Sequence, residues 1–184
     1  MTSDHKNGPL ISVLVCTRNR AASIGKCVRS ILASPLQRME LLVIDQSDGD
    51  DTGQVVRAID DARLRYLRTT TRGLSRARNI GIEASHGPIV LFTDDDCYAE
   101  PDWVEKVLAQ FEADPKREAV YGRVMAFGKG KPGETCPTIM ESMESRQVDG
   151  LNGERIQGAV GHGNNMAFRR DCFVRHGLFL EWLG

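Results

Sequence analysis

Residues 89–97, Ile89-Val90-Leu91-Phe92-Thr93-Asp94-Asp95-Asp96-Cys97, pass from a wholly apolar run into three consecutive carboxylates without a spacer. A run this short, rich in β-branched and aromatic residues and entered from Gly87-Pro88, predicts a strand buried on both faces. Such strands belong to parallel sheets covered by helices, so the stretch points to an α/β architecture. In extended backbone Asp94 and Asp96 project to one side and Asp95 to the other. Two same-side carboxylates suit a hard divalent cation such as Mg²⁺ or Mn²⁺, whose charge offsets their mutual repulsion. A solvated acidic turn is the competing reading.

Upstream, Leu10 to Cys16 (LISVLVC) predicts a first buried strand ending at Thr17-Arg18-Asn19-Arg20. Ile24, Cys27, Val28, Ile31 and Leu32 then recur as one helical face within Ser23 to Ala33, with Ser23 as N-cap and Pro35 as stop. Met39 to Ile44 predicts a second buried strand that runs into Asp45-Gln46-Ser47-Asp48. A short helix over Gly53 to Ile59, a strand over Leu64 to Leu67 and a helix over Leu74 to Ala84 follow. Downstream, Pro101 opens an amphipathic helix carrying Trp103, Val104, Val107, Leu108 and Phe111, and Ala119 to Phe127 predicts another strand. Gly128 to Gly133 reads as a hairpin tip, Thr138 to Gln147 as a helix, Gly158 to Asn165 as a polar glycine-dense loop, and Met166 to Phe168 as a strand before a short helix.

This alternation argues for a mostly parallel sheet with right-handed crossovers. Ligands of such sheets bind beyond the carboxyl ends of the strands, where strand order reverses. Three loops of that kind carry polar residues here: Thr17-Arg18-Asn19, Asp45 to Asp48, and Asp94 to Asp96.

The 184 residues suffice for one domain with a real core. With 24 basic and 25 acidic residues the net charge is -1, so no global field recruits nucleic acid, although arginines cluster between Arg63 and Arg78. No apolar run is long enough to span a membrane, and Met1 to Pro9 lacks the apolar segment of a signal peptide. We therefore expect a flexible leader over 1–9 and a cytoplasmic location, with peripheral association at the inner face of the membrane compatible with it. Five scattered cysteines without a C-x-x-C pair fit reduced thiols rather than a disulfide framework or zinc site. Phe179 to Leu183 is apolar and would want more protein to pack against, so the sequence reads as cut short.

Five segments in order, VLVCTRNRA (Val13 to Ala21), LLVIDQSDGDDT (Leu41 to Thr52), GLSRARNIGI (Gly73 to Ile82), IVLFTDDDC (Ile89 to Cys97) and GNNMAFRR (Gly163 to Arg170), resemble a family 2 glycosyltransferase of the GT-A fold. The resemblance implies a Rossmann-like, mostly parallel sheet with helices on both faces, open at the C-terminal end. It divides the chain into a nucleotide-sugar-binding α/β half over 10–127 and an incomplete acceptor-side half over 128–184. The implied reaction moves a sugar with inversion from a nucleotide diphosphate sugar to an acceptor hydroxyl on a saccharide, a lipid-linked molecule or another compound.

By the same resemblance Asp96 and Asp94 would hold Mn²⁺ or Mg²⁺, Asp94 or Asp95 would lie near the ribose, and Thr17 and Arg18 would line the nucleotide pocket. Asp45 would accept the imide N–H of uracil, which mildly favours a UDP-type donor, and Arg78 would add positive charge to the donor site. For each a local role competes: an Asx turn at Asp45, a solvated helix face at Arg78, a backbone-satisfying hydroxyl at Thr17. The carboxylate base expected past the GNNMAFRR-like segment has no secure counterpart, Glu181 being the only acid near the end. A non-catalytic nucleotide-sugar binding fragment or pseudoenzyme is thus the alternative. CTRNRA lacks the glycine-rich loop of a sugar-nucleotide pyrophosphorylase, and no G-x-G-x-x-G follows the first strand as a dinucleotide-binding protein would require.

Overall fold

The structure, a computed structural model, describes residues 8–126 and 162–183. Most of the expected leader, Phe127, the 128–133 tip, the 138–147 helix and the loop residues up to Gly161 lie outside the described residues. Strands β1 (Ile11–Thr17), β2 (Met39–Asp45), β3 (Leu64–Arg68), β4 (Ile89–Asp94), β5 (Ala119–Tyr121) and β6 (Met166–Arg169) form one sheet in the order β3-β2-β1-β4-β6-β5. The first four in that order run parallel, and β6 lies antiparallel between β4 and β5. Strand order reverses between β1 and β4, which places a switch point at Thr17 and Asp94.

Helices cover both faces because the buried strands are apolar on both. Helices α1 (Ala21–Leu32), α2 (Asp51–Arg57) and α4 (Trp103–Ala113) bury Ile24, Val28, Val56, Val104 and Phe111 against Val13, Val15, Val43 and Leu91. On the other face α3 (Leu74–Ala84) and α5 (Arg170–His176) set Ala77, Ile82 and Phe173 against Leu14, Ile44, Phe92 and Met166. Phe92, Phe168, Phe173 and Phe179 meet edge to face there, with centroids 5.6 to 6.3 Å apart. Among the described residues no helix is long and apolar enough to cross a membrane.

At the opposite end of the sheet from the acidic turn, Glu40 is buried and gathers distant donors. Its Oε1 accepts from the Ser12 hydroxyl (2.6 Å) and the His86 backbone N–H (2.5 Å), and its Oε2 accepts from Arg65 (2.5 Å). Gly87 makes this corner possible, since a Cβ there would sit 2.8 Å from the backbone of Ile11 and Ser12. The arginine cluster is spent on internal partners. Arg63 caps the carbonyls of Leu32, Ser34 and Leu36, Arg68 pairs with Asp50, Arg72 with Asp48 and Arg76 with Glu181.

Four expectations need correction. Helix α1 begins at Ala21 with Arg20 at the N-cap and no side-chain cap, so Ser23 lies inside the first turn. The short helix spans Asp51–Arg57 rather than Gly53 to Ile59. Strand β5 is only three residues long, Ala119–Tyr121; just past it Gly122 still donates its N–H to the Asn165 carbonyl (2.9 Å), and Asn165 fills the space beside Gly122. Finally β4 ends at Asp94, and the Cys97 N–H closes a turn on the Asp94 carbonyl (3.1 Å). Simple strand alternation therefore does not set the directions of Asp95 and Asp96.

Candidate functional site

A pocket of about 420 Å³ opens where strand order reverses. Cys16 and Thr17 from the end of β1, Arg18 and Arg20 from the following loop, Gln46 after β2, Gly73 and Leu74 at the start of α3, and Asp94, Asp95 and Asp96 line it. Of the residues singled out in the sequence, Thr17, Arg18, Asp94, Asp95 and Asp96 thus meet in one place. Arg78 stands beside Asp94, and Asp45 lies buried beneath the second loop.

The three aspartates have three different environments. Asp95 is buried and its Oδ2 accepts the Thr17 hydroxyl at 2.6 Å, joining the loops after β1 and β4, while Arg20 approaches its other oxygen at 4.0 Å. Asp94 is half-exposed and faces Arg78 across 4.0 Å. Asp96 is exposed at the turn. Burial pushes the Asp94 and Asp95 carboxyls above the usual range; Arg78 opposes the rise at Asp94 and Thr17 opposes it at Asp95, and the neighbouring aspartates add to both. A cation would relieve the crowding that these like charges create.

Arg78 is held on four sides. Its guanidinium donates to the Gly163 carbonyl (3.1 Å), faces Asp94, and stacks over the rings of Phe92 and Phe179 at 5.8 and 5.5 Å. The adjacent Asn79 exchanges two hydrogen bonds with the backbone of Phe179. Helix α3 therefore docks the segment around Phe179 while presenting positive charge beside the acidic turn.

Asp45 is fully buried with both carboxylate oxygens engaged. Oδ1 accepts the Ser47 N–H (2.7 Å), an Asx turn, and Oδ2 accepts the Tyr66 hydroxyl (2.7 Å). Burial, then the bond to Asp45 and its charge, push the Tyr66 hydroxyl up to about 12. Asp45 turns inward at the end of β2, while Gln46, the first residue beyond the strand, lines the pocket. Gln46 donates Nε2 to the Gly73 carbonyl (3.1 Å) and the Thr71 hydroxyl (3.0 Å), which orients its amide with Oε1 turned away from that loop.

Asp48 is the second residue that sequence reasoning passed over. It binds Asn19 reciprocally, through Asn19 Nδ2 to its carboxylate (2.8 Å) and its own N–H to Asn19 Oδ1 (3.0 Å), and also pairs with Arg18 and Arg72. Hydrogen bonding to Asn19, with Arg18 and Arg72 nearby, holds its carboxyl below the usual range. Asn19 adopts φ 55°, which lets the loop after β1 turn back onto the loop after β2.

Among the described residues no group of three or more His, Cys, Asp or Glu side chains stands ready to hold a metal. The donor set fits a different kind of site. Mg²⁺ and Mn²⁺ are commonly held by one or two carboxylates together with phosphate oxygens of the substrate, and Asp94 and Asp96 offer hard oxygens at the pocket wall.

A mostly parallel sheet with helices on both faces and an acidic turn at its switch point is the Rossmann-like GT-A fold. Residues 1–349 of S. aureus TarS superpose with a TM-score of 0.73 at 21% identity, covering 92% of this chain and 49% of that one. The mannosyltransferase PcManGT from Pyrobaculum calidifontis, solved with GDP-Man and Mn²⁺, matches with a TM-score of 0.68 at 24% identity over 97% of this chain and 49% of its own. The family model described as Glycosyl transferase family 2 matches residues 12–177, and the chain belongs to that family. A glucosyl-dolichyl phosphate glucuronosyltransferase of Haloferax volcanii is 30% identical over 172 residues, 91% of this chain and 55% of its own length. EpsH of Bacillus subtilis, a putative glycosyltransferase by name, is 29% identical over 92% of this chain and 50% of its own. The chain spans about half the length of these relatives.

Proposed function

We propose that this chain binds a nucleotide diphosphate sugar in the switch-point pocket and belongs to an enzyme that transfers the sugar, with inversion, to an acceptor hydroxyl. The observation that carries the proposal is the convergence of the Thr17 loop, Gln46 and the Asp94–Asp96 turn on one pocket of a family 2 fold. Residues 10–127 supply this nucleotide-sugar half and residues 128–184 part of the acceptor side. Asp94 and Asp96 would hold Mn²⁺ or Mg²⁺, which when bound offsets the negative charge of the diphosphate leaving group. Asp95 fixes the turn through Thr17, and Arg78 adds positive charge where the diphosphate would lie. Arg18 walls the nucleoside end through Asp48. A UDP-type donor and a saccharide or lipid-linked acceptor fit this reading, at a cytoplasmic site or the inner face of a membrane.

A second reading, donor binding without transfer, is favoured by one observation. Glu181 is engaged by Arg76 (3.2 Å) and Asn79 (3.3 Å) on the flank of α3 and does not line the pocket. Sugar transfer to any acceptor hydroxyl by the 184-residue chain would exclude it.

Calorimetric titration of UDP, GDP and dTDP, with and without Mn²⁺, tests the proposal. At least one should bind, and more tightly with Mn²⁺; silence from all three sinks the donor-site assignment. Because Asp45 is committed internally, base contact is expected at Gln46. Gln46→Leu should weaken nucleoside diphosphate binding about tenfold. Unchanged affinity would return that contact to Asp45.

A further inference from the structure

Segment 177–183 brings an aromatic ring to the back of the acidic turn without support from strand or helix. Gly177 ends α5 at φ 88°, a 3-10 turn begins at Glu181, and Phe179 between them belongs to no regular element. Its ring nevertheless meets Phe92 of β4 edge to face, with centroids 5.6 Å apart.

Asn79 holds that ring in place. The Phe179 N–H donates to Asn79 Oδ1 (3.0 Å) and the Phe179 carbonyl accepts from Asn79 Nδ2 (2.9 Å), so the carboxamide pairs with both backbone groups as a neighbouring strand would. The second Nδ2 hydrogen reaches Glu181 Oε1 at 3.3 Å. Asn79 is 5% exposed, and both polar atoms of its side chain are engaged. An apolar residue of that size would leave two backbone groups of Phe179 unpaired.

The ring so placed faces Arg78. The guanidinium lies over Phe92 and Phe179 at 5.8 and 5.5 Å, donates to the Gly163 carbonyl at 3.1 Å, and stands 4.0 Å from Asp94, which lines the pocket. That last distance is longer than a hydrogen bond, so two rings and one carbonyl set the direction of the charge. Phe92 is placed by the sheet, whereas Phe179 depends on Asn79. Successive helix residues point about 100° apart, so Arg78 and Asn79 serve different surfaces of α3. One addresses the acidic turn and the other holds the ring that steadies it.

We propose that Asn79 is a positioning residue for the diphosphate end of the site: by pairing with the Phe179 backbone it keeps the Arg78 guanidinium beside the acidic turn. The inference rests on the donor-site reading above. Asn79 does not line the pocket, so its effect on a ligand passes through the charge of Arg78 and falls on the phosphates rather than on the nucleoside.

The test titrates UMP, UDP, GMP and GDP into the full 184-residue chain at fixed Mn²⁺ and reads the ratio of diphosphate to monophosphate affinity for the base that the parent binds more tightly. Asn79→Ala should lower this ratio about tenfold while the monophosphate Kd changes less than about twofold. Phe179→Leu, which leaves the Asn79 side chain intact and removes the ring, should lower it in the same direction and keeps the inference testable if Asn79→Ala does not fold. In an Arg78→Ala background Asn79→Ala should change the ratio less than about twofold, because its route to the ligand is gone. A purely structural role predicts otherwise: a loosened fold weakens monophosphate and diphosphate alike. Equal weakening of the two, an unchanged ratio, or an undiminished effect of Asn79→Ala without Arg78 each overturns the inference and leaves the donor site standing. A parent chain that binds none of the four nucleotides removes the donor site, and this inference with it.

Discussion

Asp96→Ala is expected to erase most of the Mn²⁺ dependence of nucleoside diphosphate binding, on the order of 100-fold in Kd or about 2.7 kcal/mol. The three carboxylates of the turn are not equivalent, and their partners set the order of effects. Asp95 is spent on the Thr17 hydroxyl, and Asp94 is already balanced by Arg78. Asp96 is exposed and carries no ion pair among the described residues, so its charge is the most available to a cation. Asp94→Ala should come second. Asp95→Ala should act indirectly, by freeing the turn from β1. Paired titrations of UDP with and without Mn²⁺ read all three variants. If Asp96→Ala kept its full Mn²⁺ enhancement, the cation would have to be placed elsewhere.

Glu40→Ala is expected to cost about 3 kcal/mol of folding stability, because it leaves Arg65, the Ser12 hydroxyl and the His86 N–H without their buried acceptor. For a chain of this size that lowers Tm by about 8 °C. Burial works to raise the Glu40 carboxyl, but hydrogen bonds from Ser12, the His86 backbone and Arg65 outweigh it and hold the group below its ordinary value of 4.5. A carboxyl depressed on folding contributes stability that is fully present above its unfolded value and is lost as pH falls through the lower folded value. The parent chain should therefore lose stability on acidification below pH 4.5, and Glu40→Gln should flatten that part of the profile. A pH profile identical in the parent and Glu40→Gln would show that the depressed carboxyl contributes nothing. Because Glu40 lies at the amino ends of the strands, nucleotide binding by the folded Glu40→Gln chain should stay close to that of the parent.

The two sites differ in how far they could be read from the chain. The strand ending in Asp94-Asp95-Asp96 announces itself, since an apolar run that stops at three carboxylates leaves few places for them except a strand end facing solvent or ligand. Glu40 in Met39 to Ile44 looks by contrast like a polar flaw in an apolar strand. Its partners lie 25 to 46 residues away in sequence, on β1, β3 and the loop before β4, so no local pattern could reveal that it is satisfied. Asp45 is read from the chain as an acid after a buried strand, a pattern that suggests a ligand contact and says nothing of its internal partners. The structure turns it inward to Tyr66 and Ser47 and sets Gln46 at the pocket.

Arg78 shows the same division. Its position near the start of a helix marked it as a source of positive charge, yet its orientation depends on Phe92, Phe179, Gly163 and Asp94, contributed by three separate stretches of chain. Asn164 could not have been distinguished from Asn165 by sequence, since both are polar residues of one loop. Only packing shows that Asn165 is tied by Trp103 and Arg123, whereas Asn164 Oδ1 has no hydrogen-bond partner among the described residues.

The sequence by itself determined the alternating strands and helices, the parallel character of the sheet and the acidic strand end, because burial periodicity is local and repeats within a few residues. Which aspartate stays exposed at the turn, which polar residue after β2 lines the pocket and which buried groups are satisfied were decided only in three dimensions. Those answers depend on hydrogen-bond partners tens of residues apart, and chain folding alone brings such partners within 3 Å.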